Sequence, residues 1–515
     1  MKRNRLIKFL KKLHKWPAII IALFAILFAA SGIVLNHRQF FSPVNVSRKI
    51  LPSNYNYENW NMAAVRGSVE TDSVTNLIYG NIGIWETTDD LKTFEDYNQG
   101  FPNGIDNRKI YSVVKFQNSL FAGTQLGLYK RDLLGGEWVK LKLTVRENRI
   151  ADLALKNDTL LILTRHYLLR STNGEDFKTV QLPEPIGYKR ETGLFNTFWE
   201  LHSGELLGLP GKLIVDLLGL VTIFLGITGL LHFFFPKIIQ RKKKKEKQVA
   251  NLVSTKKKNL HWHNVVGYLF VLFLIINTIS GMHLRPPLLI PIANKQVGII
   301  PYTHMDSPNP WFDKLHRVHW DDELNRYIFS TSEGLFFAEE TLTKQLLPAP
   351  SQPPVSIMGC NVFKSLGEQN YLVGSFSGMF LWNIKTGTVH DFFTRQPYAV
   401  PERMASPIAA NTVTGLVEGK ENTFWFDFNK GVQTIASFGG MPSFPEMSEE
   451  IKKASPISLW NVSLEIHTGR IFENVLGPFY ILYVPLAGIC ILLVLISGFF
   501  VWWMVYRKKR VRRTR

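Results

Sequence analysis

The sequence has 515 residues, 46% of them hydrophobic, with 60 Lys and Arg against 41 Asp and Glu, and is too long for one ordinary domain. Its net charge of +19 does not point to nucleic acid, because 24 basic residues and one acid (Glu246) sit in three short segments, 1–15, 237–258 and 507–515. The remaining 36 basic residues face 40 acidic ones, no groove-reading motif accompanies the charge, and two cysteines, Cys360 and Cys490, offer no disulfide framework.

Residues 1–37 join the basic N-terminus to the first apolar run, 16–35, which carries no charge. A hydrocarbon core about 30 Å thick needs roughly 20 such residues as a helix. Ala29-Ala30-Ser31 resembles a signal-cleavage site, but the run is longer than a signal h-region and has a counterpart later in the chain, so it reads as an uncleaved anchor. Residues 38–205 form a first β-rich segment. A second span lies in 206–236 (apolar run 217–235), a basic loop in 237–260, and a third span in 261–285 (apolar run 265–284). Residues 286–470 form a second β-rich segment, 471–506 a fourth span (apolar run 475–506), and 507–515 a basic tail. Lys and Arg stay preferentially on the cytoplasmic side. Both termini and the central loop are therefore expected in the cytoplasm of a bacterial inner membrane, with the β segments in the periplasm.

The chain repeats itself. Leu13-His14-Lys15-Trp16 opens the first span and Leu260-His261-Trp262-His263 the third. Ser31-Gly32 follows His14 by 17 residues, and Ser280-Gly281 follows His263 by the same spacing. Before the second span stands Glu200-Leu201-His202-Ser203-Gly204, and before the fourth Glu465-Ile466-His467-Thr468-Gly469. Those spans then carry Thr228-Gly229 and Ser497-Gly498. Small residues let helices approach closely in lipid; the same pairs would leave room for a flat cofactor.

Both outer segments alternate short apolar runs with Gly, Asn and Asp turns. Residues 119–129 (SLFAGTQLGLY), 326–336 (RYIFSTSEGLF) and 371–381 (YLVGSFSGMFL) each read as strand, tight turn, strand. Such units resemble propeller blades, about three per segment. Two half-propellers would close into one wheel without exposed edges; two separate β domains are the alternative. The expected fold class is thus a four-helix membrane bundle built from two repeats, with β-rich, propeller-like outer domains. No catalytic triad, phosphate loop or paired carboxylates are visible in them.

Eight of 13 histidines lie at span boundaries: His14, His232, His261 and His263 at the inner ends, His37, His202, His283 and His467 at the outer ends. An interfacial histidine is commonly just amphipathic. The pairs recurring at equivalent positions, His14 with His263 and His202 with His467, weigh against that. Ionisable groups at spans are costly, neutral imidazole is a common metal ligand, and facing helices of a bundle are a common place to hold haem.

These motifs, Leu-His-x-Trp before a Ser-Gly span and His-[Ser/Thr]-Gly before a [Ser/Thr]-Gly span, resemble the PepSY-associated transmembrane family, which includes iron-regulated inner-membrane proteins and ferric-siderophore reductases. The resemblance covers the spans and their flanks. It implies haem b, two per chain, with His14, His202, His263 and His467 on the family's motif positions and His37, His232 and His283 as further candidates. It implies reduction of an external ferric chelate, with electrons from quinol or from a separate reductase, since the cytoplasmic pieces are too short for a nicotinamide or flavin domain. No PepSY-like domain is visible in the outer segments. The alternative is a non-enzymatic sensor or assembly scaffold whose outer domains bind an envelope protein.

Overall fold

The computed structural model describes residues 3–399, 410–420, 422–435 and 443–506; the basic tail 507–515 lies outside the described residues. The chain divides into two compact units. One comprises Met1–Phe41, Arg190–Asp306 and Leu459–Arg515, the other Ser42–Lys189 and Ser307–Ser458.

The first unit is the membrane bundle. Four helical stretches are long and apolar enough to span: Arg3–Asn36, Glu205–Lys243, Ala250–Met282 and Arg470–Tyr506. The regular helices are α1 (Arg3–Asn36), α2 (Leu194–Ser203), α3 (Gly208–Lys243), α4 (Ala250–Met282), α5 (Leu459–His467) and α6 (Tyr483–Val501). Their outer faces expose large apolar residues such as Ile20, Leu220, Leu269 and Leu486, as a lipid solvent requires. The positions they bury are often small. The hydroxyls of all four Ser/Thr-Gly pairs, Ser31, Thr228, Ser280 and Ser497, belong to buried residues.

Packing crosses between the two repeats. α1 packs on α6 as well as on α3, and α4 packs on both α3 and α6. The short helix α2 lies on α4, and α5 lies on α1. In each short helix a glycine follows the histidine by two residues, at or just past the helix end. Gly204 (φ 79°) and Gly469 (φ 78°) adopt the left-handed conformation that ends a helix, where an L side chain is strained. A Cβ at Gly204 would also come within 2.2 Å of the Gly211 carbonyl oxygen. The His-[Ser/Thr]-Gly motif is thus a helix stop that fixes where the imidazole ends up.

Besides a two-stranded pairing of Asn45–Val46 with Ile457–Ser458, the described residues of the second unit form six larger antiparallel sheets. Three come from 42–189 and three from 307–458, the number per segment that the hairpin motifs suggest. In each, strands follow chain order. Their first strands are Gly67–Glu70, Ile110–Phe116, Ile150–Lys156, Leu315–Asp321, Cys360–Gly367 and Val413–Glu418. The sixth sheet shows three strands among the described residues and the others four.

Alternation explains how the sheets assemble. In the third sheet's second strand, Leu160 and Ile162 face a core shared with the second sheet, while Leu161 and Leu163 face a core shared with the fourth. Successive side chains point to opposite faces, so a second strand that is apolar throughout is buried on both sides. The same holds for Phe329 against Ile328 and for Val373 against Leu372. The series returns to its start: Ile78 and Trp85 of the first sheet share a core with Val417, Phe424 and Phe426 of the sixth. Hydrogen bonds link the first strands in the same order. Ser112 Oγ donates to Leu153 O, Val318 N to Asp152 Oδ2, Arg317 Nε to Cys360 O, Asn361 Nδ2 to Val413 O, and Glu418 N to Ser68 Oγ. The incoming segment at Asn59–Met62 completes the sixth sheet's flank, with Met62 N donating to Phe428 O and Val432 N to Asn59 O.

Five of the six first strands carry a β-bulge at the same place, just after their first residue: Ile110/Ser112, Ile150/Asp152, Leu315/Arg317, Cys360/Val362 and Val413/Gly415. Bulges re-aim side chains and recur beside functional sites.

Candidate functional site: paired imidazoles in the bundle

The four motif histidines form two pairs. The rings of His14 and His263 have centroids 6.3 Å apart, and those of His202 and His467 are 5.9 Å apart. Each pair takes one histidine from each repeat, at equivalent positions.

Each imidazole rests on the Ser/Thr-Gly pair of a span from the other repeat. A Cβ added at Gly498 would lie 2.8 Å from His14 Cε1; one at Gly281 would lie 2.4 Å from His202 Cε1. The corresponding distances are 3.4 Å from Gly32 to His467 and 3.5 Å from Gly229 to His263. The glycines clear the volume the rings occupy.

The Nδ1 atoms all face acceptors. His14 Nδ1 lies 2.9 Å from Val494 O, and His202 Nδ1 lies 3.0 Å from Asn277 O. His467 Nδ1 lies 3.1 Å from Phe28 O and 3.0 Å from Ser31 Oγ. His263 Nδ1 lies 2.8 Å from Thr228 Oγ1, whose own proton goes to Phe224 O at 2.7 Å. A carbonyl only accepts, so each Nδ1 carries the proton and donates it. The lone pair is then on Nε2, for which no hydrogen bond is formed among the described residues. This is the tautomer of an imidazole prepared to bind a metal through Nε2, with an oriented Nδ1–H behind it.

The spacing fits one metal ion between two rings. Imidazole nitrogens bonded at about 2.0–2.1 Å on opposite sides of one ion put the ring centroids roughly 6 Å apart. No group of three or more His, Cys, Asp or Glu able to hold a metal occurs among the described residues.

The family model for the PepSY-associated TM region matches residues 1–235 and 238–505. This chain belongs to the PepSY-associated TM family. The break between the matched stretches falls just after the second apolar run, so each stretch holds one copy of the duplication. A comparison with curated proteins gives no match. Among solved structures, the chain is similar to the extracellular domain described for the hybrid two component system BT4673 of B. thetaiotaomicron, at 11% identity and a TM-score of 0.35, covering 72% of this chain and 32% of that one. It is also similar to the computationally designed Ika8 protein, at 9% identity and a TM-score of 0.30, covering 74% and 100%. A third is PorZ of Porphyromonas gingivalis, described as a surface component of the type-IX secretion system, at 9% identity and a TM-score of 0.21, covering 70% and 43%. The chain spans about a third of the length of the first of these structures.

The remaining candidate histidines of this PepSY-associated TM chain stand apart from the pairs or beside them. His37 Nε2 lies 2.6 Å from Asp216 Oδ2, a hydrogen bond between the outer ends of α1 and the second span. His283 Nδ1 meets Ile279 O of its own helix at 2.8 Å, and its ring lies 5.4 Å from Phe198. His232 lies within electrostatic reach of His14 and His263, and its buried Nδ1 has no hydrogen-bond partner among the described residues. The sequence did not reveal that each histidine leans on the other repeat's glycine. The signal was present in the equal 17-residue spacings, which set His14 and His263 most of a bilayer's thickness away from Ser31 and Ser280.

Proposed function

We propose that this chain is a haem-bearing electron-transfer protein of the bacterial inner membrane that reduces an extracytoplasmic ferric chelate, such as a siderophore complex. The observation that carries this reading is the two imidazole pairs, each at metal-bridging distance with Nδ1 donating and Nε2 free. On this reading His14 with His263 holds one haem b and His202 with His467 the other. When bound, haem supplies a one-electron carrier at each level.

The chain's own residues do the rest. The glycines admit the rings, and the carbonyls of Val494, Asn277 and Phe28 and the hydroxyls of Ser31 and Thr228 fix their orientation. The apolar helix faces keep water out. His14 and Ser31 lie 17 residues apart on one helix, so the two levels are roughly 25 Å apart along the axis and bridge most of the bilayer. Electrons would arrive from quinol or a separate reductase on the side of the basic loop, which the positive-inside bias places in the cytoplasm together with both termini. Ferric iron in the chelate takes up one electron, and ferrous iron leaves its weakened complex. The β unit, read as a six-bladed propeller from its closed series of cores, would hold the chelate.

Oxidised and dithionite-reduced spectra of the protein purified from haem-sufficient cells test this. A Soret band and two α-band components are expected, with one component lost in His14→Ala and the other in His467→Ala. A featureless difference spectrum would instead leave a membrane-anchored β scaffold for an envelope partner.

A further inference from the structure

The starts of the first strands gather an unusual set of side chains within the β unit. Arg66 immediately precedes the first sheet's first strand, and Arg149 precedes the third's. Tyr111, Arg317 and Asn361 lie at the bulges of the second, fourth and fifth. The guanidinium carbons of Arg66 and Arg149 lie 5.0 and 5.3 Å from the centroid of one ring, that of Tyr111. Arg66 Nη1 reaches Asn361 Oδ1 at 3.5 Å, and Arg317 donates to the Cys360 and Asn361 carbonyls at 2.8 and 2.7 Å. All three arginines are half-buried.

Their compensation is incomplete. Asp152 is the carboxylate beside Arg317, at 3.9 Å, and its other oxygen is already taken by Val318 N. Arg165 is paired with Asp313 at 2.9 Å. Arg66 and Arg149 have no ion pair among the described residues, and the Nε of each is buried without a hydrogen-bond partner. Burial pushes Arg66 below the usual arginine range, and the charges of Arg149 and Arg317 add to that, against an opposing contribution from Tyr111. Buried like charges with unspent donors are costly.

We propose that Arg66, Arg149 and Arg317, converging on Tyr111 and Asn361 at the starts of the first strands, bind a small multivalent oxyanion, carboxylate or phosphate. Guanidinium forks match the planar geometry of such groups and pair with them bidentately. The three come from three different sheets, so a ligand with several anionic groups would engage them together. If the proposed reductase reading holds, this ligand is the anionic periphery of the ferric chelate. The oxyanion site itself does not rest on that reading.

The test is calorimetric titration of the full-length protein in detergent with citrate and, separately, with inorganic pyrophosphate. Saturable binding of at least one is expected, and the preferred probe distinguishes carboxylate from phosphate. Arg66→Gln and Arg149→Gln are each expected to weaken it at least tenfold, with Lys420→Gln unchanged. Ligand-free melting temperatures provide the second readout. Relieving the uncompensated charge in Arg66→Gln is expected to leave the melting temperature equal or higher while removing its rise on adding ligand. The same titration of His14→Ala separates this site from the haem reading, because binding persists there whether or not haem is held. Absence of binding by the wild type to both probes, binding indifferent to the arginine substitutions, or a lowered ligand-free melting temperature in Arg66→Gln would each overturn the proposal.

Discussion

The four span glycines give a graded test, because each has a different clearance. A methyl at Gly281 would stand 2.4 Å from His202 Cε1, 2.8 Å from its Nδ1 and 3.0 Å from its Nε2. Carbon atoms rest at about 3.5–4.0 Å, so the ring would have to retreat by roughly 1 Å. The clash is with a side chain rather than backbone, so the imidazole yields and the helices stay. Overpacking of this kind costs about 1–3 kcal/mol, and a ligand constellation tolerates only about 0.5 Å of misplacement. Gly281→Ala should therefore leave a folded protein whose His202–His467 pair no longer holds its haem. Gly498→Ala, at 2.8 Å from His14 Cε1, should impair the other pair less severely. Gly32→Ala at 3.4 Å and Gly229→Ala at 3.5 Å meet ordinary or near-ordinary contacts and should be close to neutral. Haem per polypeptide, the two α-band components and the melting temperature, measured on the four variants side by side, read out the order. Equal losses in Gly229→Ala and Gly281→Ala, or full haem at both levels in Gly281→Ala, would refute the steric reasoning.

Thr228→Val removes the sole acceptor seen for His263 Nδ1, whereas Ser31→Ala leaves His467 its bond to Phe28 O. Loss of such an orienting partner lowers metal affinity by about 10–100-fold, so haem should dissociate faster from the Thr228 variant than from the Ser31 variant in a competition with apomyoglobin. In the β unit, burial together with the charges of Arg165 and Arg149 pushes His316 down to about 2. The unfolded chain takes up that proton below about pH 6.5 and the folded one does not. Stability should therefore fall as pH drops below 6.5, by up to about 1.4 kcal/mol per pH unit, and urea melts of His316→Asn should show a flatter profile. Phe329 is fully buried between the third and fourth sheets. Phe329→Ala should cost about 3–5 kcal/mol, read as a lowered urea midpoint for the β unit, with the haem spectrum unchanged.

Much of this was legible in the sequence because it is local. An uncharged run of about 20 residues, a basic flank and a repeated 17-residue spacing each declare themselves within one stretch of chain. The hairpins at 119–129, 326–336 and 371–381 became second and third strands of their sheets because apolar residues at every position can be buried on both faces. Long-range pairing was not legible. Ser31 and His467 are 436 residues apart, and Glu418 N reaches Ser68 across 350. Nothing near either partner names the other. His37 stood among the further candidates in the sequence, and nothing near it in the chain named Asp216, 179 residues on, as its partner. The arginine cluster was hidden for another reason: Arg66, Arg149 and Arg317 share no spacing in the chain, and only the pairing of three separate sheets brings the starts of their first strands together.

The reciprocal seating of the histidines has a consequence for how such a chain can arise. Either half alone would carry two imidazoles with no partner rings and two glycine notches with nothing to fill them. Its three β sheets would likewise end in two bare apolar faces. Two copies of one half, related by a two-fold axis, would supply every missing surface to each other. The polypeptide is in effect a homodimer joined through its central basic loop. Fusion frees the two copies to diverge, so that one half's outer sheets can carry Arg66 and Arg149 while the other carries Arg317 and Asn361.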